Sequence, residues 1–287
     1  MNLKEAYKKC VDLAMSHYEN FPVARMMPKN IRENVSAVYA FARTSDDIAD
    51  ENHENIEAAS EIRTKELELF ESQLKLMQTK PQALEEKWAW IFIALADTTK
   101  KFDIPVSLYT DLTSAFKQDV VKKRYETFDD VLDYCKRSAN PVGRLVLLLH
   151  SINDEKLFEM SDYICTALQL ANFWQDMSLD WQKDRIYVPQ EDWKTYNLKE
   201  EDFFKDTASK SMTDCVKFQC ERTHDLFNKG GDLPKYLPRL LKLEIKLTLA
   251  GGRGILNKIA KLKYNTLAKR PSFNKLDKIK ILLASIF

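Results

Sequence analysis

Apolar residues recur at helical spacing along almost the whole chain. Val35, Val38, Tyr39 and Ala42, for example, fall at positions i, i+3, i+4 and i+7, which is the pattern of a helix with one buried stripe. Prolines and short polar stretches separate segments of this kind, and helices end at such places. The pattern predicts helices over residues 31–50, 54–78, 88–102, 106–121, 128–136, 141–150, 155–181, 200–228 and 234–260. No repeat, low-complexity tract or linker divides the chain, so we predict an all-α protein with a single domain over residues 1–287.

The composition excludes several other classes of protein. Glycine supplies only 6 of the 287 residues, too few for a turn-rich β fold, and the sequence contains no glycine-rich nucleotide-binding motif. The five cysteines form no CxxC pair, which argues against a disulfide framework and a zinc site and is typical of the reducing cytosol. The first residues lack the apolar run of a signal peptide, and no stretch reaches the roughly 18 apolar residues of a membrane span. We therefore expect a cytoplasmic protein.

Charge is distributed unevenly along the chain, although the formal net charge is only +1. Residues 229–287 contain 14 lysines and arginines but 3 acidic residues. Such a region suits an anionic partner, either a phosphorylated substrate or a lipid surface, and a solvated helix face is the simpler alternative. Because residues 281–287 form an apolar end, we expect peripheral contact with a membrane. No nucleic-acid-binding motif accompanies the charge, so we expect no nucleic-acid partner.

Two acidic patterns carry the candidate chemistry. Asp46 and Asp50 lie four residues apart at the end of one predicted helix, and Asn172, Asp176 and Asp180 follow the same spacing on another. Each set therefore projects from one helix face, where like charges destabilise the helix by a few tenths of a kcal/mol unless a cation offsets them. Oxygen ligands without His or Cys suit Mg²⁺ rather than zinc. Two such helices could clamp a diphosphate through metal ions; exposed acidic helix ends are the alternative.

These patterns belong to a longer series of motifs that resembles the squalene/phytoene synthase family. The motifs are, in chain order, His17-Tyr-Glu-Asn-Phe21, Tyr39-Ala-Phe-Ala-Arg43, Asp46-x3-Asp50, Tyr134-Cys135 with Val142-Gly143, Gln169-x2-Asn172-x3-Asp176-x3-Asp180, and Arg185-Ile-Tyr-Val-Pro189. The specific motifs cover residues 17–189, and the resemblance continues more loosely to Pro271. It implies a helical isoprenoid synthase fold around a central apolar cavity. It also implies an enzyme that acts on a prenyl diphosphate with two or three Mg²⁺ ions.

The resemblance implies a role for each candidate residue. The residues that would hold Mg²⁺ and the substrate diphosphate are Asp46, Asp50, Asn172, Asp176 and Asp180. Arg43 and Arg185 would grip phosphate oxygens, a task that suits the forked guanidinium, while Tyr39 and Tyr134 would line the reacting centre. The remaining predicted substrate-binding residues are His17, Phe21, Val142, Gly143, Gln169, Gln175 and Tyr187. Phe21 and Val142 would line the hydrocarbon tunnel, although both could equally be core residues.

Departures from the usual family pattern narrow the expected reaction. Asn140-Pro141 stands where the family usually has Gly-x, Gln175 replaces a usual Arg, and Gly251-Gly252 lies where a Tyr is common. These variants resemble the hopanoid-pathway branch, whose members ionise presqualene diphosphate and let water capture the cation to give hydroxysqualene, with no need of NADPH. We hypothesise that Gln175 removes a fixed charge beside the diphosphate and that the glycine pair leaves room for the water.

Two other functions stay open from the sequence. The first is head-to-head condensation of two farnesyl or geranylgeranyl diphosphates to presqualene diphosphate, squalene, dehydrosqualene or phytoene. The second is a non-catalytic assembly factor, which the four intact aspartates disfavour.

Overall fold

Helices make up the fold in the computed structural model, which describes residues 1–16, 29–50, 56–277 and 281–282. Within these ranges no residue lies in a β-strand, so the all-α prediction is confirmed. The α-helices are α1 Leu3–Ser16, α2 Arg32–Asp50, α3 Ile56–Thr79, α4 Ala89–Lys101, α5 Ser107–Val121, α6 Phe128–Ser138, α7 Asn140–Leu149, α8 Glu155–Asp180, α9 Gln190–Thr195, α10 Lys210–Gly230 and α11 Arg239–Lys261.

Two predicted helices begin later than expected, and each is preceded by a 3₁₀ turn. The predicted segment 200–228 opens with a 3₁₀ turn at Glu200–Phe204, and α10 starts only after Ser209, whose side chain accepts a hydrogen bond from the backbone N–H of Met212 over 3.1 Å. Serine is a favoured N-cap because its hydroxyl satisfies one of the free N–H groups of the first turn. The segment 234–260 likewise opens with a 3₁₀ turn at Leu233–Tyr236, before α11 begins.

The Cα positions group into two compact units, of which the first comprises residues 1–121 and 141–154. In this unit α1 packs on α2 and α4, and α2 also contacts α3 and α5. Its core contains an aromatic cluster in which the ring of Phe41 lies 5.3 Å from those of Phe70 and Tyr109, between centroids. All three side chains are fully buried, so the inner face of α2 is fixed and its polar face points away from this core.

The second unit comprises residues 122–140 and 155–287 and is built around α8, which contacts α6, α10 and α11. Trp174 on α8 is fully buried, and its indole Nε1 donates to Thr223 Oγ1 of α10 over 2.9 Å. At Gly230 a Cβ atom would lie 2.5 Å from the Met160 carbonyl oxygen of α8, so only glycine allows this approach of α10 to α8. The single-domain boundary over residues 1–287 stays a prediction.

None of the helices in the described ranges combines the length and the apolarity that crossing a bilayer requires.

Candidate active site

The first acidic motif lies on the polar face at the end of α2. Arg43 extends along this face, with Nη1 3.6 Å from Asp46 Oδ2 and Nη2 in closer contact with Asp47 Oδ1. Its Nε atom is buried and has no hydrogen-bond partner among the described residues. The two carboxylates thus hold the Arg43 guanidinium against its own helix through Nη1 and Nη2. Asp50, the last residue of α2, is exposed.

Tyr39 lies one turn before Arg43 on the same helix and is half-buried. Burial raises the pKa of Tyr39 above its ordinary value, while the nearby Arg43 charge opposes the shift. The phenol therefore stays protonated at neutral pH and can donate a hydrogen bond.

The second acidic motif lies near the end of α8 in the second unit. Asn172 is exposed, whereas Gln169, Asp176 and Asp180 are half-buried. Asp176 forms a two-point ion pair with Arg270, in which Nη2 lies 3.2 Å from Oδ2 and Nε makes a shorter contact with Oδ1.

Gln175, the residue before Asp176, is buried. Its Nε2 donates to the Pro271 carbonyl oxygen over 2.6 Å. Gln175 is neutral at a position where an arginine is usual. Arg270 supplies a positive charge to the neighbouring carboxylate, Asp176.

The loop after α8 returns Arg185 to the end of that helix. Asp184 adopts the left-handed conformation, with φ 57°, which aspartate tolerates better than most residues, and the Arg185 N–H donates to the Asp180 carbonyl oxygen over 2.9 Å. Asp180, Arg185 and Tyr187 thereby line one small cavity of about 10 Å³, near the smallest space that holds one water molecule. The other residues of its wall are Phe173, Trp174, Met177, Trp181, Ile186, Val188 and Phe203.

A buried aromatic cluster contains two of the predicted residues, Tyr134 and Tyr187. Tyr187 stacks on Phe173 with 3.6 Å between centroids, and Tyr134 lies 5.9 Å from Phe173 and 6.0 Å from Tyr187. Tyr125, 5.6 Å from Tyr187, completes the cluster. The electron-rich faces of such rings attract cations. Tyr125 and Phe173 were not among the predicted residues, because their spacing in the sequence is that of core residues.

The remaining predicted residues are placed as follows. Val142 on α7 is 45% exposed, which excludes the core alternative for this residue, and Gly143 next to it is half-buried. Asn140, one of the variant positions, accepts a hydrogen bond from Thr166 Oγ1 through its Oδ1 over 2.9 Å. His17 and Phe21 lie outside the described residues.

The glycine pair on α11 has two different environments. A Cβ atom at Gly252 would lie 2.4 Å from Phe227 Cζ and 2.8 Å from Leu168 Cδ2, whereas one at Gly251 would meet nothing within 4 Å. The hypothesis that both glycines leave room for water is therefore wrong for Gly252, because neighbouring side chains fill that space. The open position is Gly251.

Comparison with known proteins shows to which family the chain belongs. The family model described as squalene/phytoene synthase matches residues 14–277. The chain belongs to this family. Hydroxysqualene synthase of Rhodopseudomonas palustris is 34% identical over 75% of this chain and 70% of its own length. Chloroplastic phytoene synthase of Narcissus pseudonarcissus is 26% identical over 96% of this chain and 65% of its own length.

Solved structures agree with this family assignment. The crystal structure of squalene synthase HpnC from Alicyclobacillus acidocaldarius is 33% identical, with a TM-score of 0.83 over 92% of this chain and 96% of that one. The predicted isoprenoid synthase fold is thereby confirmed. Squalene/phytoene synthase family members are enzymes that act on prenyl diphosphates, and this protein is an isoprenoid synthase of that kind.

The family uses a divalent metal with its diphosphate substrates, and the donor chemistry of the two acidic motifs fits such an ion. Their ligands are carboxylate and amide oxygens, which Mg²⁺ prefers, and Arg43 and Arg270 already offset part of their negative charge. Among the described residues, however, no group of three or more His, Cys, Asp or Glu side chains is gathered so that it could hold a metal.

Glu244, which sequence analysis missed, is a half-buried acid on α11, seven residues before Gly251. Burial raises the pKa of Glu244 to about 7.

Because the folded-state pKa of Glu244 is raised, the protein binds this proton more tightly than the unfolded chain does. The resulting stability is fully present below the unfolded pKa of 4.5 and is lost as pH rises through about 7. We expect Glu244→Gln to increase the free energy of unfolding by about 2–3 kcal/mol at pH 8 and to change it little at pH 4.5. Urea unfolding at both pH values measures this. The exposed Glu221 of α10 provides the control, since Glu221→Gln should leave the free energy of unfolding unchanged at both pH values. Equal effects of Glu244→Gln at both pH values would contradict a raised pKa for Glu244.

Proposed function

We propose that this enzyme converts presqualene diphosphate into hydroxysqualene, as a carbon–oxygen lyase that releases diphosphate in hopanoid biosynthesis. The observation that carries the proposal is the 34% identity to a hydroxysqualene synthase over three quarters of the chain. Two more hydroxysqualene synthases, of Sinorhizobium fredii and Zymomonas mobilis, are 31% and 34% identical over 83% and 74% of this chain. The variants Gln175 and Gly251 agree with this branch of the family.

In the proposed reaction, the bond between carbon and the diphosphate oxygen breaks and both electrons leave with the diphosphate. The cation then rearranges, a water oxygen bonds to carbon, and one proton passes to solvent. The residues proposed to hold Mg²⁺ are Asp46, Asp50, Asn172, Asp176 and Asp180. When bound, the ion would neutralise the charge that develops on the departing diphosphate.

The protein's own groups would assist at both ends of the breaking bond. Arg43 and Arg185 would hold phosphate oxygens, and the protonated phenol of Tyr39 would donate to the departing group. The buried rings of Tyr134 and Tyr187 would present electron-rich faces that stabilise a cation.

The positions that bind the rest of the substrate are proposed from the family resemblance. They are His17, Phe21, Val142, Gly143, Gln169 and Gln175.

Product analysis of the purified protein with Mg²⁺ and presqualene diphosphate, without NADPH, tests the proposal. We expect a C30 alcohol, whose hydroxyl oxygen carries the label when the reaction runs in H₂¹⁸O. No turnover of presqualene diphosphate, together with consumption of farnesyl diphosphate in a parallel reaction, would replace the proposal by head-to-head condensation.

Contact of the basic C-terminal region with lipid stays a prediction. Vesicle flotation of the protein with and without residues 281–287 would test it.

A further inference from the structure

Two neighbouring residues of α8 hold two neighbouring residues of the segment that follows α11. Gln175 donates from Nε2 to the Pro271 carbonyl oxygen over 2.6 Å, and Asp176 accepts two contacts from the guanidinium of Arg270, one of them at 3.2 Å. The side chain of Gln175 is buried, with only 8% of the residue exposed. A buried donor of this kind is costly to remove because its acceptor loses a partner that water does not readily replace.

The two contacts depend on each other through the backbone. Pro271 has a fixed φ and favours extended backbone at the residue before it, Arg270. The hydrogen bond from Gln175 to the Pro271 carbonyl therefore limits the position of the Arg270 Cα atom, from which the side chain extends. A third contact joins the same segments, since Thr266 Oγ1 lies 3.2 Å from Met177 Sδ.

Arg270 also supplies a positive charge close to position 175, where members of the family usually have an arginine. Gln175 is neutral at a position where an arginine is usual, and Arg270 brings one guanidinium to the next residue, Asp176. The Asp176 side chain is 15% exposed and that of Arg270 is 41% exposed, so the acid is shielded while the base can turn into solvent.

We propose that Gln175 is a positioning residue that sets Arg270 as the counter-ion of Asp176, and that Arg270 competes with divalent cations for this carboxylate. The inference rests on the proposed function, because it takes Asp176 as a metal ligand. Arg270 then offsets the charge of the second acidic motif in the metal-free protein, and an incoming cation must displace it.

Binding of Mn²⁺ alone, followed through the electron paramagnetic resonance signal of the free ion, tests the inference without turnover. We expect Arg270→Gln to bind Mn²⁺ about tenfold more tightly than the unaltered protein, because a repelling unit charge close to the site is removed. Arg270→Lys keeps that charge and is expected to stay within about twofold of the unaltered protein.

Gln175 is tested in the same assay with a matched control. Gln175→Leu removes the donor to Pro271 and is expected to tighten Mn²⁺ binding about threefold, because Arg270 is then held less firmly on Asp176. Gln182→Leu makes the same substitution just beyond α8, where the exposed side chain donates to the Ser178 carbonyl oxygen over 3.1 Å. This control should leave the affinity unchanged.

Two further variants distinguish the ways in which the inference can fail. If Asp176→Asn weakens Mn²⁺ binding but Arg270→Gln and Gln175→Leu leave it unchanged, the metal site stands and the competition is overturned. If Asp176→Asn has no effect, Asp176 is not a ligand and this part of the proposed function fails as well. Thr266→Val loosens the same segment without touching charge, so an equal gain in that variant would attribute the effect to looser packing and overturn the role of Gln175.

Discussion

Replacing Asp50 by asparagine is expected to lower kcat/KM by about 10²- to 10³-fold, the size of effect seen when one preorganised group that stabilises developing charge is removed. Asn keeps the shape and polarity of the side chain but removes the negative charge that attracts a divalent cation. Asp50 is exposed at the last turn of α2, so the substitution should leave the fold intact. Steady-state kinetics over a range of Mg²⁺ concentrations, with a melting curve for each protein, measures both effects.

The matched control for this variant is Asp47→Asn, which removes the same charge on the same helix. Asp47 contacts Arg43 and lies outside the predicted metal-binding set, so its loss should change kcat/KM by only about threefold, the scale of an exposed ion pair. Equal losses in the two variants would mean that the general negative potential of α2, and not the specific position of Asp50, supports catalysis.

The largest expected loss of stability is at Gly252. Gly252→Ala would place a methyl group 2.4 Å from Phe227 Cζ and 2.8 Å from Leu168 Cδ2, so α10 or α11 must shift. Overpacking of this kind costs about 1–3 kcal/mol, and the collision with a fully buried ring places the effect at the upper end. Because alanine also favours the helix interior by about 1 kcal/mol, we expect the free energy of unfolding to fall by about 1–2 kcal/mol, measured by urea denaturation.

Gly251→Ala is the matched control for this stability effect. A Cβ atom at Gly251 meets nothing within 4 Å, and alanine favours a helix interior over glycine by about 1 kcal/mol. The variant should therefore be more stable than the unaltered protein. Destabilisation of equal size at both positions would show that the helix backbone itself, and not the contact with Phe227, requires glycine.

Much of the fold follows from the sequence because helices obey a local rule. The long α8 was predicted over 155–181 and spans Glu155–Asp180, since its pattern is sustained over seven turns. The start of α10 was predicted ten residues too early, because the apolar spacing continues through the 3₁₀ turn at Glu200–Phe204 and only the cap at Ser209 decides where the helix begins.

The sequence predicted those parts of the candidate site whose residues lie close together along the chain. Arg185 and Tyr187 follow Asp180 closely, and all three line one cavity. Arg270 could not be assigned to Asp176 in advance, because the two lie 94 positions apart in the sequence and no periodicity links a loop arginine to a helix. The environment of Gly252 could not be predicted from the sequence either. Free space beside a glycine depends on side chains of other helices, here Phe227 and Leu168.

The separation between Asp176 and Arg270 has a consequence for synthesis on the ribosome. At about 5–20 residues per second, the 94 residues that are added from position 177 up to and including Arg270 take roughly 5–20 s to translate. During that interval α8 can already form beside α6, while the counter-ion of Asp176 and the carbonyl acceptor of Gln175 do not yet exist. The end of α8 is therefore completed only after translation reaches Pro271, and a nascent chain arrested before that point would present this acidic helix end to chaperones and proteases.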